Sequence, residues 1–203
     1  MNELFMAPDG QARCRWCGGA PEFLDYHDRE WGFPVCDDRH LFEKLCLESF
    51  QSGLSWRTIL AKRENFRTAF HNFDFNLIAR FDDNDVKALL KNKGIVRHRG
   101  KIEAVINNAR QMLELIKQEG SLAAYVWSFE PDRQSLPEPQ SASTSTQSIA
   151  LSKDLKKRGW KFVGPTTVYA FMQAMGLIND HSRDCVVRAK ADHARKDFIP
   201  PGR

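Results

Sequence analysis

The chain has 203 residues, of which 42% are hydrophobic and 28% charged, a composition typical of a globular protein rather than a disordered or fibrous one. It contains no run of about 18 apolar residues, which excludes a transmembrane helix, and its start lacks the basic and apolar regions of a secretory signal. The net charge of +4 is too small to identify a partner. We therefore expect a cytoplasmic protein without membrane contact.

Apolar residues recur at helical spacing along most of the chain. In chain order, the stripes are Leu41, Leu45 and Cys46; Trp56, Ile59 and Leu60; Val86, Leu89 and Leu90; Ile102, Val105, Ile106, Ala109, Met112, Leu113 and Ile116; and Val168, Phe171, Met172 and Met175. The long fourth stripe predicts an amphipathic helix from about Arg99 to Gln118, stopped by Gly120. Since no alternating strand of useful length is found, the predicted fold class is all-α.

The domain organisation follows from changes in composition. Residues 131–148 are rich in Pro, Ser, Thr and Gln and are predicted to form a solvated loop between two helical blocks. From Val187 onward the chain is polar and basic, which predicts a mobile tail over residues 187–203. We expect residues 1–186 to form a single unit of two helical lobes around a groove.

Cysteine and histidine residues near both ends of the chain could hold a metal ion. Cys14-Arg-Trp-Cys17 and His181-Ser-Arg-Asp-Cys185 have metal-ligand spacing, and residues four apart share one face of a helix. His27 is a further candidate. In the alternative interpretation the thiols are loop cysteines and His181 caps a helix; spacing alone leaves the choice open.

Glu48 shares the apolar stripe of Leu41 and Leu45. A carboxylate on such a stripe is costly unless it is paired, and buried carboxylates are often functional; the alternative is a side chain at the edge of the stripe that reaches solvent. The following segment, Gln51-Ser-Gly-Leu-Ser55, interrupts the helix and exposes Leu54 at a turn. Such a leucine could part stacked bases or simply plug the core.

The segment from Leu151 to Pro165 has a helix-hairpin-helix pattern. A helix ends at Gly159, a short apolar hairpin follows, and Pro165 opens the next helix. The segment carries five basic residues and one acidic residue, and free N–H groups at Gly164 suit a phosphate. The pattern is typical of a grip on the nucleic-acid backbone, here by Gly159, Lys161, Gly164 and Thr166. The alternative, a solvated basic turn, is disfavoured by the two glycines and the proline.

A second basic stretch, Lys87 to Lys101, could contact the same duplex or be a solvated face.

Together these features resemble the DNA-3-methyladenine glycosylase I family, which belongs to the helix-hairpin-helix DNA glycosylase superfamily. The resemblance runs from Cys14 to about Cys185. Its blocks include Tyr26-His-Asp-Arg-Glu-Trp-Gly32, Leu47-Glu48, Gly53-Leu-Ser-Trp56, Arg97-His-Arg-Gly-Lys-Ile102, Leu155-Lys-Lys-Arg-Gly159, Phe162-Val-Gly164 and Asn179-Asp-His181.

The resemblance implies one structural zinc ion that joins the amino- and carboxyl-terminal segments. Its ligands would be Cys14, His27, His181 and Cys185, with Cys17 a bystander and Asp180 helping to position His181. With four protein ligands no position stays open for a catalytic water. Neither a Walker motif nor G-x-G-x-x-G is present, so no nucleotide cofactor is expected.

The resemblance also implies an activity in base excision repair of DNA damage. The protein would be a monofunctional glycosylase, expected to act as a monomer, that hydrolyses the N-glycosidic bond of 3-methyladenine in alkylated double-stranded DNA and leaves an abasic site. Tyr26, Trp16 and Trp56 would bind the cationic base by stacking and cation–π contact, while Gln51 and Leu54 would fill the gap left in the duplex.

Because a cationic purine is already a good leaving group, the bond needs little general-acid help. Glu48 is the expected essential acid, and its role between recognition and catalysis stays open. Two alternatives are a zinc-stapled DNA-binding module without catalysis and a glycosylase for another alkylated purine. The position of Glu48 on an apolar stripe near Trp56 favours a protein with a base-binding pocket over one that only binds DNA.

Overall fold

The computed structural model describes residues 4–132 and 136–202 and is mostly helical, as the periodicity predicts. The α-helices of this described part are α1 (Glu22–Arg29), α2 (Asp38–Gln51), α3 (Trp56–Ala61), α4 (Arg63–Ala69), α5 (Phe75–Ile78), α6 (Asp83–Lys91), α7 (Arg99–Glu119), α8 (Leu122–Trp127), α9 (Thr146–Lys157), α10 (Pro165–Ala174) and α11 (Arg188–Asp197). Short 3-10 helices span Arg15–Gly19 and His71–Phe73. None of the helices described is both long and apolar enough to cross a membrane.

A small antiparallel hairpin precedes the helices. It pairs β1 (Leu4–Met6) with β2 (Ala12–Cys14), and Leu4 lies opposite Cys14. Strands of three residues are too short to show an alternating pattern, so the sequence analysis did not detect them. The hairpin places Cys14 at the start of the first 3-10 helix.

Helix α2 forms the centre of the core and carries Glu48. Its ten residues from Leu41 to Phe50 are all buried, because α2 packs against α3, α7, α8 and α10. A helix buried on every side normally carries apolar residues all round. Three of these ten positions instead hold charged side chains, Glu43, Lys44 and Glu48, and each of them is paired.

Helix termini follow the local signals in the sequence. Asp82 caps α6, and its capping box is completed by Asp85. Helix α7 runs from Arg99 to Glu119 and ends at Gly120, whose φ of 84° is readily adopted by glycine. The predicted helix over this segment is therefore confirmed to within one residue.

The loop predicted over residues 131–148 is shorter at its carboxyl end than expected. Helix α9 begins at Thr146, and Ser145 and Ser148 form a reciprocal capping box in which Ser148 is buried. Serine-rich composition indicated a loop, but these serines cap a helix. Residues 133–135 of the predicted loop lie outside the described residues.

The structure corrects the prediction of a tail after residue 186. Residues Arg188–Asp197 form α11, in which Ala191 and Arg195 are buried. The guanidinium of Arg195 donates a hydrogen bond to the carbonyl oxygen of Leu177 over 2.8 Å. Composition indicated a solvated segment because this helix docks through a buried arginine rather than through an apolar stripe.

Candidate active site

A cavity of about 580 Å³ opens beside the carboxyl end of α2. It is lined by five of the residues singled out in the sequence, Trp16, Tyr26, Glu48, Gln51 and Trp56. These residues come from the first 3-10 helix, α1, α2 and the first turn of α3, and are brought together by the tertiary fold. The cavity is also lined by Phe23, Trp31, Gln173 and Asp180, to which the sequence analysis assigned no base-binding role.

The aromatic side chains surround the carboxylate. Tyr26 lies between the other two rings, with ring centroids 5.3 Å from Trp56 and 6.2 Å from Trp16. The side chain of Glu48 is only 5% exposed, so the alternative in which it reaches solvent does not hold in this structure. An anionic group among aromatic rings is suited to binding a flat, positively charged molecule.

Lys44 is a residue of this site that the sequence analysis missed. Its ammonium nitrogen lies 2.9 Å from Oε1 of Glu48, donates a 2.6 Å hydrogen bond to the hydroxyl of Tyr26, and stands 3.5 Å from the centroid of the Trp56 ring. Burial lowers the pKa of Lys44, and the charge of Glu48 opposes that shift. The signal was present, because a lysine four residues before Glu48 on a buried stripe is its natural ion-pair partner.

A second, smaller groove adjoins the cavity and shares Glu48 and Gln51 with it. It is lined by the loop that follows α2 and by Thr166 at the start of α10. Gly53 makes the turn with a φ of 75°, and Leu54 is 42% exposed at its tip. The predicted interruption of the helix is confirmed, and Leu54 projects from the core instead of plugging it.

The segment between α9 and α10 is a hairpin fixed to α7. Gly159 turns the chain with a φ of 84°, and Gly164 is the N-cap of α10 with Pro165 in its first turn. Asn108 donates to the carbonyl oxygen of Lys161 and accepts from its N–H group, over 2.9 and 2.8 Å. The side chains of Lys161 and Thr166 are exposed.

The predicted basic stretch from Lys87 to Lys101 is not one solvated face. Lys101 is buried, and its ammonium donates hydrogen bonds to the carbonyl oxygens of Phe50 and Ser52 over 2.8 and 2.5 Å. This lysine therefore caps the carboxyl end of α2, where unpaired carbonyl groups favour a positive charge.

Cys14, His27 and Cys185 form a buried cluster in which the possible ligand atoms all lie within 4.8 Å of one another. His181 lies beside them, with its ring centroid 4.8 Å from that of His27. Its Nδ1 is hydrogen-bonded to the side-chain oxygen of Asn179 over 2.8 Å, and its Nε2 is buried with no hydrogen-bond partner in the described structure. Residues 181–185 are not helical, so the shared helix face predicted for His181 and Cys185 is wrong. A turn brings both residues to the cluster instead.

The ionisation of the cluster is set by close contacts. The hydrogen bond from the Cys14 thiol lowers the pKa of Cys185 to about 3, with a further contribution from His27. Burial disfavours a charge on His27, but hydrogen bonds with Cys17, Cys185 and Asp28 outweigh it and raise the pKa of His27 to about 10. Burial and the nearby charge of His27 lower the pKa of His181 to about 4.

The cluster and the cavity share a wall. The ring of Trp16 lies 5.2 Å from that of His27, and the ring of Trp31 lies 4.7 Å from that of His181. Both tryptophans also line the cavity. The position of the cluster therefore supports the aromatic side of the candidate active site.

Asp180 lines the cavity, and its side chain makes no hydrogen bond to His181 in the described structure, although it was expected to help position that histidine. It accepts hydrogen bonds from the backbone N–H of Gln140 and from the side chain of Gln173, over 2.8 and 2.5 Å. Burial raises the pKa of Asp180. The residue that orients His181 is Asn179.

Residues 16–189 match the family model described as methyladenine glycosylase. The chain belongs to this family. It is similar to a DNA-3-methyladenine glycosylase of Haemophilus influenzae, with 49% identity over 85% of this chain and 96% of that protein. It is also similar to a crystal structure of 3-methyladenine DNA glycosylase I, with 49% identity, a TM-score of 0.78, and coverage of 86% of this chain and 98% of that one. It is similar as well to the structure of a 3-methyladenine DNA glycosylase I variant in complex with 3-methyladenine, with 36% identity, a TM-score of 0.78, and coverage of 83% of this chain and 93% of that one.

Proposed function

We propose that this protein is a DNA repair glycosylase that removes 3-methyladenine from alkylated double-stranded DNA and leaves an abasic site. The observation that carries the proposal is the buried carboxylate of Glu48 in a cavity lined by Trp16, Tyr26 and Trp56. A cavity of this size accommodates one purine base but not a base pair within a duplex. The target base must therefore leave the stack before it can enter.

Recognition rests on the charge of the lesion. Methylation at N3 leaves a positive charge on the aromatic ring, which the faces of Trp16 and Trp56 attract. Glu48 would accept hydrogen bonds from the edge of the base and offset its charge. An unmodified purine lacks this charge and gains less from the same contacts.

Base extrusion is assigned to the loop after α2. Leu54 and Gln51 line the groove that adjoins the cavity, and the exposed leucine is suited to fill the space vacated by the base. The hairpin would hold the DNA through backbone groups at Gly159 and Gly164 and through the side chains of Lys161 and Thr166.

The reaction breaks the bond between the base nitrogen and C1′ of the deoxyribose. The cationic base takes the bonding electrons and leaves as neutral 3-methyladenine, and water adds to C1′ with loss of a proton. The protein's contribution is to orient the base, exclude bulk water and stabilise positive charge through Glu48.

The Cys/His cluster is assigned to one structural Zn²⁺. Its donors are two thiols and two imidazoles, a set that zinc binds tetrahedrally. The buried, unpartnered Nε2 of His181 fits a ligand role, and Asn179 would fix its tautomer from the other ring nitrogen. Zinc would stabilise the fold here by joining β2, α1 and the segment before α11.

The test is to incubate the protein with methylated duplex DNA and to identify the released bases by chromatography. Release of 3-methyladenine supports the proposal. Binding to DNA without release of any base would favour the alternative of a zinc-containing DNA-binding module without catalysis. Release of a different alkylated purine alone would show that the protein is a glycosylase with another substrate.

A further inference from the structure

Asn179 connects the Cys/His cluster to helix α11. Its side-chain oxygen is hydrogen-bonded to Nδ1 of His181 over 2.8 Å, and its amide nitrogen donates to the carbonyl oxygen of Arg188 over 3.1 Å and to Oδ1 of Asp192 over 2.7 Å. Arg188 and Asp192 both belong to α11. Asp192 lies outside the residues 16–189 that match the family model, so the family assignment gives it no role.

Resting on the metal site of the proposed function, we infer that Asp192 is a positioning residue for the metal ligand His181. The carboxylate holds the amide of Asn179 in one orientation, and the amide holds the imidazole in the tautomer that leaves Nε2 free to bind Zn²⁺. Helix α11 would then be part of the metal centre and not only an addition to the fold.

The orientation of the Asn179 amide follows from which neighbouring groups can donate a hydrogen bond. A carboxylate and a backbone carbonyl only accept, so the end of the amide that faces Asp192 and Arg188 is the NH₂ group. The oxygen then faces His181, where it also accepts from the backbone N–H over 3.3 Å. The bond to Asp192 is the shorter of the two that the NH₂ group donates, and it is charge-assisted, so this carboxylate is the stronger acceptor.

The orientation of the amide selects the tautomer of His181. Because the oxygen of Asn179 can only accept, Nδ1 carries the proton and Nε2 keeps its lone pair. Nε2 is the buried ring atom that has no hydrogen-bond partner in the described structure. If the amide turned over, its NH₂ group would face Nδ1 and favour the tautomer with a proton on Nε2, which cannot bind a metal through that atom.

Packing fixes where the ring of His181 lies but does not choose its tautomer. A Cβ on Gly32 would lie 2.7 Å from Cε1 of His181, so the ring packs directly on the glycine, and the ring of Trp31 lies 4.7 Å away. The guanidinium of Arg188 donates to the carbonyl oxygen of His181 and holds its backbone. None of these contacts distinguishes a protonated Nδ1 from a protonated Nε2, so that choice depends on Asn179.

The other imidazole of the cluster reaches a carboxylate directly. Nδ1 of His27 is hydrogen-bonded to Oδ1 of Asp28 over 2.7 Å. Metal-binding histidines generally donate their other ring N–H to a carboxylate or a carbonyl oxygen, which orients the ring and strengthens the ligand. His181 reaches a carboxylate only through an intervening amide, and that carboxylate is Asp192.

The experiment measures the affinity of the full-length protein for Zn²⁺ by competition with a chromogenic chelator, starting from the zinc-loaded form. Asp192→Ala removes the acceptor, whereas Asp192→Asn keeps an oxygen that can accept from Asn179 and is the rescue variant. Asp197→Ala is the control, because Asp197 lies on the same helix and pairs with His193 over 3.2 Å. In zinc-loaded protein labelled with ¹⁵N-histidine, NMR shows which ring nitrogen of His181 carries the proton.

We expect D192A to weaken Zn²⁺ binding by about tenfold, as for the loss of a group that orients a metal ligand. D192N and D197A should stay within about twofold of wild type. In the wild type, Nδ1 of His181 should carry the proton. Once Asn179→Ala is present, D192A should weaken binding little further, because Asp192 acts through Asn179. A carboxylate that only stabilised α11 would lower the affinity equally in both backgrounds.

Four results would each overturn the inference: equal affinities of wild type and D192A, a full tenfold loss in D192N, an undiminished effect of D192A in the N179A background, or a proton on Nε2 of His181 in the zinc-loaded wild type. If a variant does not fold, the spectrum of the wild type decides. Wild-type protein that binds no Zn²⁺ would instead overturn the metal assignment, while release of 3-methyladenine tests the glycosylase activity separately.

Discussion

The ammonium group of Lys101 donates a 2.8 Å hydrogen bond to the carbonyl oxygen of Phe50, so a side chain from the start of α7 holds the end of α2. The same helix end is bonded to the hairpin between α9 and α10, because the hydroxyl of Ser49 donates to the carbonyl oxygen of Phe162 over 3.0 Å. Glu48 lies one residue before Ser49. The carboxylate of the cavity and the hairpin are thus held in one rigid unit.

Lys101→Met should destabilise the protein by about 2–4 kcal/mol, because the buried carbonyl oxygen of Phe50 and the partly buried carbonyl oxygen of Ser52 lose a charged donor. The loop carrying Leu54 should also be less well held, so excision from duplex DNA should fall further than stability alone explains. Chemical denaturation and single-turnover excision measure the two effects. Lys117→Met is the matched control, since Lys117 is on the same helix with a side chain 68% exposed, and it should change neither quantity. Equal behaviour of the two variants would refute the capping role.

Glu48→Gln should reduce excision of 3-methyladenine by about 100-fold or more, because the cavity loses its negative charge. It should also lower the free energy of unfolding by about 3 kcal/mol, since Lys44 is left buried without its counterion. Non-specific DNA binding should be nearly unchanged. Glu43→Gln is the control on the same helix, because Glu43 pairs with Arg67 away from the cavity. An E48Q protein with full activity would remove Glu48 from the mechanism.

Removal of the proposed Zn²⁺ should affect folding more than chemistry. Chelation should lower the melting temperature by about 10 °C, because a tightly bound structural ion contributes about 4 kcal/mol to a domain of this size. The excision rate per folded molecule should change less than about threefold. Cys185→Ser should reproduce the shift, and Cys36→Ser, at an exposed cysteine, should not. Loss of activity at an unchanged melting temperature would point to a catalytic ion.

Leu54→Ala should reduce excision from duplex DNA by about tenfold and leave stability within about 0.5 kcal/mol of wild type, because the side chain is 42% exposed in the free protein. Affinity for the free base should be unchanged, since Leu54 does not line the main cavity. Leu77→Ala is the control, because the side chain of Leu77 is 43% exposed, nearly as much as that of Leu54, but lies on α5. Equal effects of the two substitutions on duplex cleavage would argue against a wedge.

Lys161→Ala should weaken binding to any duplex and reduce the slope of log K against log salt by about 1, as expected for the loss of one phosphate contact. Lys190→Ala removes an exposed charge from α11 and serves as the control. Titration of an undamaged duplex at several salt concentrations gives both slopes. A slope that K161A leaves unchanged would place the DNA elsewhere on the surface.

The local elements were determined by the sequence itself. The stripe from Ile102 to Ile116 and the stop at Gly120 fixed α7, and Gly159 and Pro165 fixed the ends of the hairpin. These signals are readable because helix periodicity, capping and glycine or proline conformations act over a few residues. The family resemblance then selected candidate residues that lie far apart in the chain.

Only the tertiary structure decided which distant groups meet and what they do to one another. Lys44 beside Glu48 is visible in the sequence as an i, i+4 pair, but its contact with Trp56 depends on how α3 packs against α2. Likewise Lys101 was indistinguishable from its solvated neighbours until α7 was packed against the end of α2. Helix α11 docks through Arg195 rather than through an apolar face, so its burial left no period in the sequence. Charge and burial at such positions depend on groups far away in the chain, and no local pattern encodes them.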